Sequence, residues 1–326
     1  MIVGQGLAGT CLAWEFWKRG LSFSLVDREA GGSSRVAAGM INPITGKNFQ
    51  PSGRIGEFLP QAMEFYAEVE QRIERTIWHP IPVLRLADSE KEWAKMLSKS
   101  ALPEVTPWLL NHGVPVAVDG WAGALELTGG GRLDTRRFLD ASREFFRQHG
   151  IYQQAEVPVD DSGAGRIWCE GAVGLMLGRF GAHRCAKGEI LTLFAKDWDE
   201  THIRIGAGGW LVPLGGCLFK AGSTYEWNEL DEVPTAAGGT RVEQIAARLG
   251  GSDFDVVNHE AGIRPILRRS EPLIGPINKG DWMFNGLGSK GSLYAPGIAR
   301  RLADWITKGT EPETEVNFLH FPPARS

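Results

Sequence analysis

Cysteine is scarce. The 326-residue chain has four, Cys11, Cys169, Cys185 and Cys217, no two closer than 16 positions. That spacing excludes a CxxC pair for zinc or redox work and a dense disulfide framework, and a reducing cytoplasm is the expected compartment. His79, His112, His183, His202 and His259 show no metal-ligand spacing, so they read as surface or satisfied core residues and no metal is expected. An excess of one charge is also missing. With 35 basic and 39 acidic residues the net charge is −4, which argues against a globally basic nucleic-acid binder but leaves room for a local patch. No run approaches the ~20 apolar residues of a membrane span. The apolar stretch 1–14 carries three spaced glycines and no basic n-region, so it does not read as a secretory signal. With 43% hydrophobic and 23% charged residues the chain is of ordinary globular composition, long enough for two domains or one domain with an insertion.

Glycine, by contrast, is abundant. There are 42, without a collagen period, so many turns or close backbone approaches are needed. Twelve tryptophans and 15 phenylalanines point to large buried or ligand-facing aromatic surfaces.

The chain opens as strand, glycine turn, helix (Ala8 to Arg19) and strand (Leu21 to Val26), a β-α-β start that predicts a parallel sheet. Only three residues precede Gly4, so the first strand is either short or truncated. A helix is expected from Glu57 to Ile77, ended by Pro80 and Pro82. Further expectations are a strand at Val83 to Leu86, a helix at Ser89 to Lys99, a strand at Trp121 to Thr128, and a helix capped by Asp134. The outer face of that last helix carries Arg136, Arg143 and Arg147, a stripe read as a solvated face in preference to a phosphate contact. Strands are expected at Gln153 to Val159, Arg166 to Cys169, Glu189 to Phe194, Ile203 to Leu214 and Leu218 to Gly222, giving a mainly antiparallel second sheet. Thr240-Arg241-Val242-Glu243 reads as a capping box, and Pro296 as the first turn of the final helix.

The sharpest motif is Gly4-Gln5-Gly6-Leu7-Ala8-Gly9, a G-x-G-x-x-G between strand and helix, with Asp27 at the end of the next strand. Gly4 permits the tight turn, Gly6 lets backbone approach a pyrophosphate, and Gly9 lets helix and sheet pack closely; the helix N-terminus favours the anion and Asp27 would accept from ribose hydroxyls. Gly32 to Pro43, with small residues and hydroxyls, offers a surface for an extended cofactor.

With its S-x-x-A-A-G-M segment at residues 34–40, the sequence resembles the D-amino-acid oxidase and glycine oxidase family of FAD-dependent oxidoreductases. The likeness continues in Gly188-Glu189-Ile190-Leu191, Gly222-Ser223-Thr224-Tyr225-Glu226, Ala261-Gly262-Ile263-Arg264-Pro265 and Pro272-Leu273-Ile274-Gly275, and it covers nearly the whole chain. It implies an α/β fold with an α+β second part: a discontinuous Rossmann-like FAD-binding domain (1–80, 129–194, 262–326) and an antiparallel-sheet substrate domain (81–128, 195–261). It also implies non-covalent FAD, held by Gly4, Gly6, Leu7, Ala8, Gly9, Asp27, Arg28, Ser34, Arg35, Ala37, Ala38, Gly39, Met40, Val157, Gly171 and the closing loop Gly286, Gly288, Ser289, Lys290 and Gly291.

In this family the arginine matching Arg264 holds an amino-acid carboxylate. Trp210 matches an active-site aromatic, with core packing as the alternative, and Lys290 either adds positive charge at the flavin or faces solvent. The resemblance implies an amine oxidised by hydride transfer to flavin N5, with oxygen as acceptor and a small amino acid or amine as substrate. Where glycine oxidases often carry an arginine in the closing loop, this chain has Ser289 and Lys290. The L-G-S-[KR]-G form resembles instead the oxidase domain of a bifunctional enzyme that modifies the tRNA wobble uridine. A flavin oxidase acting on a carboxymethylaminomethyl nucleoside therefore stays open, as does a nicotinamide-dependent dehydrogenase or a flavin-binding protein without oxidase turnover.

Overall fold

Two sheets organise the chain. The computed structural model describes residues 1–158, 165–267, 271–278 and 280–321. Ile2–Val3 lies inside a six-stranded sheet ordered Tyr152–Gln154, Leu25–Asp27, Ile2–Val3, Ile167–Trp168, Trp282–Asn285, Leu273–Pro276. The first five strands are mutually parallel and Leu273–Pro276 runs antiparallel at the edge. Two residues suffice for the inner strand because both are held from both sides, Ile2 by Leu25 and Ile167, Val3 by Val26 and Trp168. Both are buried, as parallel strands usually are. Helix Leu7–Lys18 follows the glycine turn and packs on helix Gly291–Lys308. Asp134 caps helix Thr135–Gln148, accepting from Arg137 N–H at 3.1 Å.

The second sheet has seven strands in the order Asp255–Arg264, Ala186–Phe194, Leu218–Gly222, Gly209–Gly215, Ile203–Gly206, Val83–Ala87, Gly123–Leu127. Every neighbouring pair is antiparallel except Ile203–Gly206 with Val83–Ala87. Register aligns Arg85, Ile205, Trp210, Gly222 and Ile190 in one row across five strands. Paired residues share a face, so this row is common to one side of the sheet.

Several expected boundaries move, each for a local reason. Helix Ile55–Ile73 stops before the prolines because Glu74 turns left-handed (φ 53°), and Glu70 Oε1 accepts the N–H groups of Ile77 and Trp78 beyond it. The expected strand Ile203 to Leu214 is a hairpin, turned at Ala207 and Gly208, both at positive φ. Thr240 does not cap a helix: Thr235 does, accepting from Gly238 N–H at 3.0 Å, and helix Ala236–Gly250 starts earlier. Gly238 and Gly239 sit inside it because Cβ atoms there would stand 2.2 Å from Glu189 Cδ and 3.1 Å from His259 Cε1. The last helix begins at Gly291, which leaves Pro296 in its interior. The strand expected over Gln153 to Val159 is Tyr152–Gln154; Val159 lies outside the described residues.

Candidate active site

A cavity of about 1700 Å³ lies between the C-terminal end of the parallel sheet and the Trp210 face of the second sheet. The glycine turn forms one end. Gly4 has φ 102°, and a Cβ there would stand 2.6 Å from Cys169 O; at Gly9 it would stand 1.8 Å from Gly4 O. The turn is therefore closed to any side chain. The N-cap residue of the helix that begins at Leu7 is Gly6, which has no capping side chain, and Leu7 N–H donates instead to Ser34 Oγ at 3.2 Å. Asp27 lines the cavity, but its two oxygens each already accept a backbone N–H at 2.6 Å, from Gln5 and Glu29. A carboxylate has about four lone-pair sites, so it retains capacity for a ligand hydroxyl.

The segment after Gly32 runs along one wall. Its short helix Ser33–Val36 is fixed by Arg136 Nε on Arg35 O (3.0 Å) and by the buried Lys220, whose Nζ donates to Val36 O (2.6 Å) and Ala37 O (3.4 Å). Burial pushes the Lys220 amine down to about 8 against the opposing pull of Glu260. Gly39 has φ 70°, and a Cβ there would stand 1.9 Å from Leu133 O. At the far wall Asn285 Nδ2 donates to Gly171 O (3.0 Å), Gly288 N–H donates to Pro265 O (3.0 Å), and Lys290 stands at the start of the last helix. Burial lowers the Lys290 amine, and Glu271 partly offsets this.

Arg264 lies at the substrate-sheet side. Its guanidinium donates to Lys187 O (3.3 Å), Ser223 Oγ (2.7 Å) and Thr224 O (3.2 Å) and stacks 4.1 Å from the Tyr225 ring centre. Every acceptor is neutral, and burial lowers its pKa. Among the described residues no carboxylate pairs with it. Gly188 makes room, since a Cβ there would stand 2.0 Å from Arg264 Nη2. Trp210 lines the cavity and also packs against the neighbouring core and Gly222.

Most of the expected site residues line this one cavity, from the glycine turn through residues 27–40 to Val157, Gly171, Gly288, Ser289, Lys290 and Gly291. Gly9 and Gly286 do not: Gly9 lies under Gly4, and a Cβ on Gly286 would meet Leu267 Cδ1 at 2.3 Å, so each serves packing. Arg143 is a correction. It is not on a solvated face but lines the cavity, 15% exposed, with Nε on Gln5 Oε1 (3.0 Å) and Nη1 near Glu29 (3.4 Å). Arg85 and Tyr225, which also line the cavity, were not singled out from sequence; a lone arginine inside the apolar run Val83–Ala87 is the signal for the first.

A parallel sheet with a glycine turn at its C-terminal edge, facing a mainly antiparallel sheet across a long cavity, is the architecture of a dinucleotide-binding protein. The model of the FAD dependent oxidoreductase family matches residues 1–305, and the chain belongs to that family. Its cofactor is FAD, and the glycine cradle, the helix start behind Gly6 and Asp27 fit a dinucleotide. The chain is 26% identical to a glycine oxidase of Pseudomonas aeruginosa, over 96% of this chain and 95% of that one. It is 23% identical to a tRNA 5-methylaminomethyl-2-thiouridine biosynthesis bifunctional protein of Marinobacter nauticus, covering 94% of this chain and 55% of the relative, so it spans about half of that protein. Among solved structures, iminodiacetate oxidase from Chelativorans superposes with a TM-score of 0.78 at 17% identity, covering 99% and 98% of the two chains, which shows a shared fold.

Proposed function

We propose that the protein oxidises the C–N bond of a small amino acid or secondary amine, with the substrate carboxylate bound by Arg264. The observation that carries this is the guanidinium itself: partly buried in the FAD-family cavity, oriented by three neutral oxygens and, among the described residues, without an acidic partner. Such a cation is short of one anion, and a planar guanidinium receives a carboxylate on two parallel N–H bonds. The glycine oxidase relative fits this substrate class.

Bound FAD supplies the two-electron acceptor. The chain's residues orient and exclude. Arg264 fixes one end of the substrate and Trp210 walls its middle, so the reacting C–H is held rather than sampled. Lys290 and the N-terminus of helix Gly291–Lys308 supply positive potential to the cofactor end of the cavity. No side-chain base is required when the amine binds neutral. We further propose that FAD is non-covalent: Cys169, the cysteine lining the cavity, has its thiol pushed well up by burial and is a poor nucleophile. The two-domain division given above, with both parts discontinuous, belongs to the same proposal, as do the cytoplasmic location and oxygen as acceptor.

Anaerobic mixing of the yellow protein with glycine, N-methylated glycines and D- and L-amino acids tests the reading. Bleaching of the flavin by at least one is expected, with peroxide formed on admitting air; a flavin that none of them reduces overturns it. Arg264→Ala should raise KM for the reactive substrate by the equivalent of about 2–5 kcal/mol. A KM that does not move removes Arg264 from the carboxylate role.

A second reading, oxidation of a carboxymethylaminomethyl group on tRNA, is favoured by the closing loop Leu287-Gly288-Ser289-Lys290-Gly291 and by the bifunctional relative. A gel shift with tRNA that weakens steeply with salt supports it, and an absent shift removes it.

A further inference from the structure

The cavity carries a second buried guanidinium. Arg85 sits on Val83–Ala87 in the same register row as Ile205 and Trp210, and all three line the cavity. Its side chain is 13% exposed, and its Nε is buried with no partner among the described residues. The one carboxylate that reaches it among the described residues is Glu92, with Oε1 3.3 Å from Nη2. Glu92 is shared: its Oε2 accepts Asp88 N–H at 3.1 Å. A long, shared contact leaves the guanidinium with unused donors in a desolvated place, a costly state that an arriving anion relieves.

The surroundings have the same sign. Lys47, Lys91 and Lys95 line this end of the cavity. Among the described residues Lys95 Nζ bonds only neutral oxygens, Lys47 O at 2.7 Å and Asn48 Oδ1 at 2.9 Å. Of the two acids present, Asp88 is paired with Arg248 at 2.9 Å and Glu92 serves Arg85. A chain of net charge −4 thus concentrates positive charge at one wall of its cavity.

We infer that the cavity holds an anion subsite centred on Arg85, which takes a carboxylate or phosphate at the far end of the substrate's substituent. The inference rests on Arg264 as the seat of the amino-acid carboxylate and narrows the substrate class of that same site. Arg264 is tied to Ser223 and Thr224, at the end of strand Leu218–Gly222. From that strand to Val83–Ala87 there are three strand steps, about 14 Å at the usual inter-strand spacing. Trp210 lies between the two cations, one step from the first strand and two from the second. A glycine-sized molecule reaches one cation; an N-substituted glycine or long amino acid with an acidic end reaches both, with its C–N bond over Trp210.

The test uses the holoprotein and non-reacting ligands read by the flavin difference spectrum. Linear monocarboxylates are compared with dicarboxylates and phosphonocarboxylates of the same length. Ligands with two anionic ends should bind about tenfold or more tighter than the monocarboxylate. A larger margin for the phosphonate assigns phosphate, and a larger margin for the dicarboxylate assigns carboxylate. Arg85→Gln should bring the ratio of the two dissociation constants close to one, while Arg85→Lys should keep part of it and serves as the folded control. Equal affinities in the parent protein, or a ratio that survives Arg85→Gln, overturn the subsite. Amine oxidation is scored separately, so failure of every amine to reduce the flavin removes the proposed reaction without altering this ratio.

Discussion

Gly9 has almost no freedom, because a Cβ would stand 1.8 Å from Gly4 O and the contact is backbone that cannot swing away. Gly9→Ala is expected to cost about 1–3 kcal/mol, as overpacking of tight sites does, and to lower bound FAD. Thermal melts and the flavin-to-protein absorbance ratio check it; a stable, fully yellow variant refutes it. Lys220 gives a pH signature. Its folded pKa of about 8 lies below the 10.5 of a free lysine, so the unfolded chain binds more protons between those values. The cost is fully present below pH 8, and stability rises through that window by roughly 3 kcal/mol. Lys220→Met should lack this rise when unfolding free energies are compared across the window; parallel profiles would show that burial does not discharge the amine. Gly9 was legible because a fingerprint demands it. Lys220 was not, since nothing in the strand Leu218–Gly222 says that its amine meets the carbonyls of residues 36 and 37.

At the scale of elements, the last helix shows a chemical compensation. Pro296 cannot donate to the carbonyl four residues earlier, on Ser292, and the buried Tyr66 hydroxyl donates to that oxygen at 2.7 Å in its place. Tyr66→Phe therefore leaves a buried carbonyl unpaired and should destabilise by about 1–3 kcal/mol. Pro296→Ala returns the backbone donor, so the penalty of Tyr66→Phe should shrink in that background. A double-mutant cycle in urea measures the coupling, and additive effects would separate the two residues. Local patterns identified the six long helices and about half of the strands, but neither the ten-residue strand Asp255–Arg264 nor all of the element ends. Ser89 and Asp134 start helices as expected, because capping is settled within a few residues. Thr240 misleads because its box is locally sound, while Thr235 is held from outside by Glu189, with Oγ1 to Oε1 at 2.8 Å. The hairpin at Ala207 and Gly208 was missed because the apolar residues on both sides of Gly206-Ala207-Gly208-Gly209 read as one strand, although that glycine-rich stretch is a turn signal.

For the whole molecule, the cavity is walled by both sheets, so FAD bound there would bridge them and add its binding energy to the stability of both. At a hundredfold excess over Kd this linkage amounts to about 2.7 kcal/mol. The apoprotein should melt lower than the holoprotein and its Tm should climb with FAD concentration in scanning calorimetry; a Tm indifferent to FAD would place the flavin outside the cooperative unit. The sequence by itself determined the α/β class, the dinucleotide turn and the segments resembling the FAD-dependent oxidoreductases. Those features depend on a few adjacent residues: bare glycines, a helix start, an acid at a strand end. Only the tertiary structure decided that Arg143 turns into the cavity, that Arg264 is held by three neutral oxygens, and that Arg85 faces the same space from another strand. Burial and charge pairing between segments far apart in sequence set the fate of a guanidinium, and no local spacing records which neighbours the fold will bring.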